Sequence, residues 1–161
     1  EIPNRDAIRS FLDDDPGYPV CLVQRLYYYR MNIYDPAPWP ATVIAPRYAL
    51  GADPDMQNLR EARGTLPKML DGGWHFSWLG SPEQILAKLD AVVDIDVESK
   101  HYGSDGIVKP PRDVGFFADC IARKADMFGR EHRPKQVVPI VPGICQPYTI
   151  EQWLARFPEY A

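Results

Sequence analysis

The sequence predicts an α/β fold in which short strands alternate with amphipathic helices. The stretch from Val20 to Tyr34 is rich in β-branched and aromatic residues, which is typical of one long strand or a strand pair. The stretch from Gly72 to Gly80 alternates aromatic and polar residues, which predicts a two-faced strand. From Pro82 to Val93 apolar residues recur at helical spacing.

Length and composition favour a single domain over residues 1–161. The chain of 161 residues is long enough to bury a core, and its 45% hydrophobic and 25% charged residues are ordinary for a globular protein. A net charge of -4 argues against a general nucleic-acid binder, which needs a basic surface. No apolar run is long enough to cross a membrane. The widely spaced cysteines Cys21, Cys120 and Cys145 are predicted to be buried free thiols.

The first elements are a short helix and the tyrosine-rich strand. Asn4 is predicted to cap a helix that ends at Asp13–Gly17, and the apolar face of this helix comprises Ala7, Ile8, Phe11 and Leu12. The three aspartates at its end fit a solvated turn better than a metal site. In a strand, Tyr28 faces away from Tyr27 and Tyr29, so Tyr28 either packs at the edge of the core or lines a cleft and stacks on a sugar.

The middle of the chain is predicted to be proline-stiffened. Asp35–Pro40 is expected to form a loop that presents Trp39, and Thr42–Ala45 a short strand. Asp53 is predicted to cap the next helix. Arg60 and Arg63 follow at helical spacing, either as a grip for a phosphate or as part of an exposed face.

The stretch from Gly72 to Gly80 is expected to place its aromatic side chains on one face and His75 and Ser77 on the other. Directly after it, Ser81 and Gln84 form the pattern of a capping box, with Pro82 in the first turn. The predicted strand therefore ends at a helix N-terminus, which favours anionic ligands.

The C-terminal part is predicted to begin with a polar loop from 94 to 113, which serves either as a lid or as a plain connector. Asp113 is expected to cap a helix that runs to Gly129. Its apolar face comprises Phe116, Phe117, Cys120 and Ile121. A short extended piece at 137–141 and a terminal helix from about 149 complete the chain.

Familiar hydrolase and nucleotide-hydrolysis motifs are absent from the sequence. This leaves chemistry of binding and transfer. Of the three histidines His75, His101 and His132, only His75 lies in a segment with a defined polar face. It is either a structural histidine or part of a site.

Several separated motifs occur in a characteristic order. The central motif is Gly73-Trp74-His75-Phe76-Ser77-Trp78, followed by Glu83 and Lys88. The others are Glu1-Ile2-Pro3, Tyr27-Tyr28-Tyr29 with Asn32, Trp39, Leu59-Arg60 and Asp126-Met127-Phe128-Gly129-Arg130. In this combination the sequence resembles glycosyltransferase family 17, the β-1,4-mannosyl-glycoprotein β-1,4-N-acetylglucosaminyltransferase-like proteins, over most of its length.

The resemblance implies a GT-A-like mixed sheet with flanking helices and an inverting transferase. It implies UDP-N-acetylglucosamine as donor, a divalent cation (manganese or magnesium) as cofactor, and a glycan or glycoprotein as acceptor. In the family, Glu-Ile-Pro follows an Asp-x-Asp motif that holds metal and diphosphate. We therefore expect those carboxylates and the nucleotide-binding half to precede Glu1, and residues 1–161 to be the acceptor-side, C-terminal part, whose own activity is open.

Candidate site residues follow from this chemistry. An inverting transferase needs a base for the acceptor hydroxyl, and Glu83 is the first candidate and Asp71 the second. Glu83 has an alternative role, because a carboxylate in the first turn stabilises a helix without any catalysis. His75 is assigned to the metal or diphosphate site. The expected substrate-binding residues are Arg60 and Arg130 for the diphosphate and Trp74, Trp78 and Tyr28 for the sugar.

A non-catalytic carbohydrate-binding or interaction module is the competing hypothesis, because aromatic platforms bind sugars without chemistry. A purely structural fragment is the third. The compartment stays open, since a microbial or viral member of the family would be cytoplasmic and a eukaryotic member would lie in the Golgi lumen.

Overall fold

The structure is a computed structural model that describes residues 1–93, 109–129, 135–138, 152 and 155–158. The fold is mixed α/β, as predicted. Its helices are α1 (Arg5–Asp14), α2 (Met56–Glu61), α3 (Pro82–Val93) and α4 (Val114–Arg123). Its strands are β1 (Ile2–Pro3), β2 (Val20–Tyr28), β3 (Ile33–Ile44), β4 (Lys68–Met69), β5 (Gly73–Ser77) and β6 (Gln136–Val137).

The described strands form one mixed sheet in the order β1-β5-β2-β3-β6, with β4 beside β2. The β1–β5 and β3–β6 pairs are antiparallel, whereas β2 and β4 are parallel. Strand β2 is buried along most of its length, which explains its nearly continuous apolar sequence. Of the two alternatives for Val20 to Tyr34, one long strand or a strand pair, the structure has the pair, because a turn separates Tyr28 from Ile33.

The chain divides into two compact units that are each discontinuous in sequence. Unit 1 comprises residues 1–26 and 37–75, and unit 2 comprises residues 27–36 and 76–161. The core of unit 1 contains Ala7, Phe11, Val20, Cys21, Leu22, Leu26 and Ala41. The core of unit 2 contains Tyr27, Tyr28, Tyr29, Met31, Ile33, Ile85, Leu89, Phe117, Cys120 and Met127. The two described cysteines, Cys21 and Cys120, are buried free thiols, as predicted.

Tyr29 anchors the core of unit 2. Its side chain is fully buried and its backbone is left-handed, with φ 61°. The hydroxyl donates to the carbonyl of Ala125 at 2.9 Å and accepts from the amide of Met127 at 3.1 Å. Burial raises the pKa of this hydroxyl, so that it remains a hydrogen-bond donor. The segment after α4 is thereby fixed to the end of β2.

Most predicted helix starts are confirmed. Asn4 caps α1, Asp113 caps α4, and Ser81 with Gln84 forms the expected capping box before α3. The start of α2 is wrong by two residues, because Asp55, not Asp53, accepts from the first free amides. Leu12 is also misplaced, since its side chain is largely exposed.

Two further predicted boundaries are wrong. Residues 35–40 are not a loop but part of β3. Prolines occupy every second position at 36, 38 and 40, so the missing N–H groups all lie on one edge of the strand. The N–H groups of the intervening residues point to the other edge, where they can still donate hydrogen bonds. Helix α4 ends at Arg123, six positions before Gly129, because the following Lys124 adopts a left-handed conformation and its amide bonds back to Cys120 and Ile121. Residues 94–108 of the expected loop, 139–141 of the expected extended piece and 149–151, 153 and 154 of the expected terminal helix lie outside the described residues.

Candidate functional site

The strand pair β1–β5 places Glu1 beside His75. Ile2 pairs with Trp74 and Pro3 with Gly73, so Glu1 is opposite His75 in this antiparallel register. The Nδ1 atom of His75 is 3.6 Å from Oε1 of Glu1, a contact that is an ion pair when the imidazole is protonated. Only 19% of the His75 side chain and 37% of the Glu1 side chain are exposed. The predicted site histidine therefore has a specific carboxylate neighbour.

Trp39 packs on His75 from the neighbouring part of unit 1. The two ring centroids are 4.9 Å apart at an interplanar angle of 32°. The guanidinium carbon of Arg63 is 5.9 Å from the centre of the indole ring, within the range of a cation–π contact. Trp39 thus connects a histidine from β5 with an arginine that follows α2.

An open groove of about 540 Å³ lies in unit 1. Its size falls within the about 300–1,000 Å³ of small-molecule sites. The lining residues are Glu1, Ala41, Thr42, Val43, Met56, Leu59, Arg60 and Arg63. The two arginines predicted from helical spacing therefore both line this groove. Among the described residues neither guanidinium has a carboxylate partner, and Glu1 is the only acid that lines the groove.

Asp71 and Trp74 also belong to unit 1 but do not line this groove. The carboxylate of Asp71 pairs with Arg25 at 3.0 Å, and 73% of its side chain is exposed. Its carbonyl oxygen accepts from the side-chain amide of Asn4 at 3.0 Å. Trp74 is half-buried in β5. The contacts of Asp71 hold the turn before β5, and its role as a base stays a prediction.

Trp78 and Tyr28 belong to unit 2. Trp78 does not continue β5, because its φ of 57° takes the chain out of the strand. Its half-buried ring lies 5.7 Å from that of Phe128, with the Lys88 ammonium 4.8 Å from its centre. Tyr28 is buried, and the Lys135 ammonium lies 4.5 Å from its ring centre. Both sugar-binding assignments stay predictions.

Glu83 lies in the first turn of α3 and is exposed. The hydroxyl of Ser81 donates to its Oε2 atom at 2.7 Å. This hydrogen bond lowers the pKa of Glu83 below its ordinary value, because it stabilises the ionised form. The observed contact is that of a helix-terminal carboxylate, and the catalytic assignment stays a prediction. Arg130 lies outside the described residues.

The implied divalent cation was tested against the described side chains. They contain no group of three or more His, Cys, Asp or Glu residues able to hold a metal ion. His75 and Glu1 supply two suitable donors, and Mg²⁺ commonly takes only one or two protein carboxylates beside water and substrate phosphates. No further described side chain adds to this pair, and no step proposed below passes through a metal. No helix in the described part of the chain has the length and apolarity to span a membrane.

Sequence reasoning missed the roles of Glu1, Thr42 and Gln24 at this site. Thr42 lines the groove, and its hydroxyl contacts both Glu1 and Gln24. Glu1 carried a signal only as part of the Glu1-Ile2-Pro3 motif, and its position beside His75 follows from the strand register. Thr42 and Gln24 carried no local signal, since their pairing depends on the packing of distant strands.

Comparisons with known proteins identify no relative of this chain. No protein-family model, curated protein or solved structure matches it. The resemblance to glycosyltransferase family 17 therefore stays a prediction from the sequence motifs.

Proposed function

We propose that this chain belongs to a glycosyltransferase that moves N-acetylglucosamine from a UDP-sugar to a glycan acceptor with inversion. The observation that carries the proposal is the groove of unit 1, which Arg60 and Arg63 both line without carboxylate partners among the described residues. Guanidinium groups bind phosphate oxygens through paired, charge-assisted hydrogen bonds. A donor diphosphate would be held by these arginines.

The groove also contains the two kinds of side chain that the transfer reaction requires. Transfer develops negative charge on the leaving diphosphate, and fixed positive groups stabilise that charge in the transition state. Transfer also requires a group that takes the proton of the acceptor hydroxyl, and a carboxylate in the same groove can do this. The groove combines both kinds of group in Arg60, Arg63 and Glu1. A GT-A-like arrangement of the sheet is part of the same proposal.

The nucleotide part is tested by calorimetric titration of the complete protein with UDP plus Mn²⁺. Arg60→Ala and Arg63→Ala should each weaken binding about tenfold or more, because each removes a charge-assisted contact. Arg9→Ala is the matched control, since Arg9 is an exposed arginine of α1 paired with Asp6. Equal UDP affinity in all three variants would contradict a diphosphate site at this groove.

Transfer is measured separately, with labelled UDP-N-acetylglucosamine and a panel of glycoprotein glycans. Labelled product together with UDP binding is the expected result. Glycan binding without nucleotide binding would instead favour a carbohydrate-binding module, to which the half-buried Trp78 beside Lys88 would be suited. Binding of neither ligand would overturn both hypotheses.

A further inference from the structure

The carboxylate of Glu1 is held by a chain of hydrogen bonds. The side-chain amide of Gln24 donates to the hydroxyl oxygen of Thr42 at 3.2 Å, and the Thr42 hydroxyl lies 3.1 Å from Oε2 of Glu1. An ionised carboxylate only accepts hydrogen bonds, so the single hydroxyl proton must point at Glu1. The hydroxyl oxygen then accepts from Gln24, which fixes the direction of the whole chain.

Burial fixes the Gln24 end of this chain, whereas the hydrogen bond between Thr42 and Glu1 is exposed. Gln24 is only 2% exposed at the centre of β2, so its amide is held by the surrounding core. The other carboxylate oxygen, Oε1, is the one that faces His75. Both oxygens of Glu1 therefore have a neighbour that orients them, while 37% of the side chain stays exposed.

The position of Glu1 distinguishes it from the other candidate bases. Glu1 and Thr42 both line the groove that contains Arg60 and Arg63. Asp71 is paired with Arg25, and the exposed Glu83 is bonded to Ser81, and neither lines that groove. Among the described residues, Glu1 is the only carboxylate that lines the groove where the diphosphate is proposed to bind.

We propose that Glu1 is the catalytic base of the transferase and that Thr42 and Gln24 are positioning residues, an inference that rests on the proposed function. Glu1 takes the proton of the acceptor hydroxyl as that oxygen bonds to the anomeric carbon of the donor sugar. The bond from this carbon to the diphosphate oxygen breaks, and its electron pair leaves with UDP. The products are the new glycoside, UDP and one proton, which Glu1 then releases to water.

The first test compares Glu1→Gln with wild type in the complete protein. The amide keeps the size of the side chain but cannot accept the proton, so kcat should fall about 100-fold or more. The UDP dissociation constant from titration should change less than about threefold, since the arginines remain. Added sodium azide or formate, as a small external base, should restore part of the lost rate to this variant and leave the wild-type rate unchanged.

The second test addresses Thr42. Thr42→Val keeps the shape of the side chain but removes the hydroxyl, and should lower kcat about tenfold with little change in the donor KM. Thr42→Ser restores the hydroxyl and should recover most of the rate. A merely structural role would predict similar losses in both variants or a change confined to stability.

The outcomes separate this inference from the proposed function. Absence of UDP binding and transfer in the wild-type protein would refute the proposed function itself. Wild-type transfer together with an undiminished kcat in Glu1→Gln would refute only the role of Glu1 as base. If Glu1→Gln loses UDP binding through misfolding, Glu1→Asp provides the decision, because it retains a carboxylate. The inference requires that Glu1→Asp transfer the sugar at a measurable rate without azide. It would be overturned if Glu1→Asp lost transfer but kept UDP binding, and azide rescued neither variant.

Discussion

Gly73 is the residue on which the pairing of β1 with β5 depends. Its φ of 132° is a conformation that L side chains rarely adopt, and a Cβ atom there would overlap the carbonyl of Ile2 and lie 2.8 Å from the amide nitrogen of Asn4. We predict that Gly73→Ala lowers the free energy of unfolding by about 3 kcal/mol or more, because steric overlap adds to backbone strain. Urea denaturation followed by circular dichroism measures this loss.

The matched control is Gly64→Ala. A Cβ atom at Gly64 would have no neighbour within 4 Å. Its stability should therefore stay within about 0.5 kcal/mol of wild type. Similar unfolding midpoints for the two variants would mean that the β1–β5 contact at Gly73 is not as close as the structure has it.

At the same scale, only part of the site was accessible to sequence reasoning. His75 was singled out by its flanking glycines and aromatics, and Arg60 and Arg63 by their spacing, because these are properties of neighbouring positions. The neighbour of His75 was not predicted, since Glu1 comes to it through a strand pair that joins opposite ends of unit 1. Contacts of this kind depend on sheet register, which local pattern does not specify.

Among the elements, α3 has the most complete N-terminal cap. The amide of Ser81 donates to the side-chain oxygen of Gln84 at 2.7 Å, and the Ser81 hydroxyl also contacts Glu83. We predict that Ser81→Ala costs about 1 kcal/mol of stability through loss of the cap. It should also raise the pKa of Glu83 toward its ordinary value, because the hydroxyl that stabilises the ionised form is gone. Denaturation and a carboxyl NMR titration measure the two effects.

The sign of the pH dependence follows from the lowered pKa of Glu83. A carboxylate with a lowered pKa stabilises the fold at pH values above the ordinary 4.5, and that contribution is lost as the pH falls through the lowered value. Wild type should therefore lose more stability than Ser81→Ala on acidification through this range. Ser10→Ala, which removes a hydroxyl from the middle of α1, is the control. An unshifted Glu83 titration in Ser81→Ala would contradict the assigned cause.

Helix starts were predictable because a cap acts within a few residues of itself. Ser81, Asn4 and Asp113 were all identified from the chain alone and all accept the expected amides. The ends of elements were less predictable. Helix α4 ends at a left-handed lysine that carries no sequence signal, and β3 passes through prolines that would ordinarily indicate a loop. Pairing with a neighbouring strand outweighed local propensity there.

At the scale of the whole molecule, the units were not predicted, because each combines stretches that are far apart in sequence. Unit 1 joins residues 1–26 to residues 37–75, and unit 2 joins residues 27–36 to the chain from residue 76 onward. The single domain expected from length stays a prediction. Composition indicates how much core a chain can bury, but it does not indicate which segments share that core.

Within unit 2, a buried ion pair connects the stretch that follows α4 with the residue directly before β6. The Lys135 ammonium is 3.3 Å from Oδ2 of Asp126, and their side chains are 0% and 1% exposed. The other Asp126 oxygen accepts from the amide of Phe128 at 2.8 Å. We predict that Lys135→Met lowers the free energy of unfolding by about 3–5 kcal/mol, because the carboxylate stays buried after its cation is removed.

The double variant Asp126→Asn/Lys135→Met tests that reason. It removes both charges and keeps side chains of similar size, and the Asn oxygen can still accept from the Phe128 amide, so it should regain much of the lost stability. Lys124→Met, at the exposed end of α4, is the control for removal of a lysine. Urea denaturation at one pH of wild type, the single variants Asp126→Asn and Lys135→Met, and the double variant provides the cycle. If Lys135→Met were as stable as Lys124→Met, the ion pair would contribute no more than a surface contact. The stability of unit 2 would then have to come from the packing around Tyr29 and Phe117.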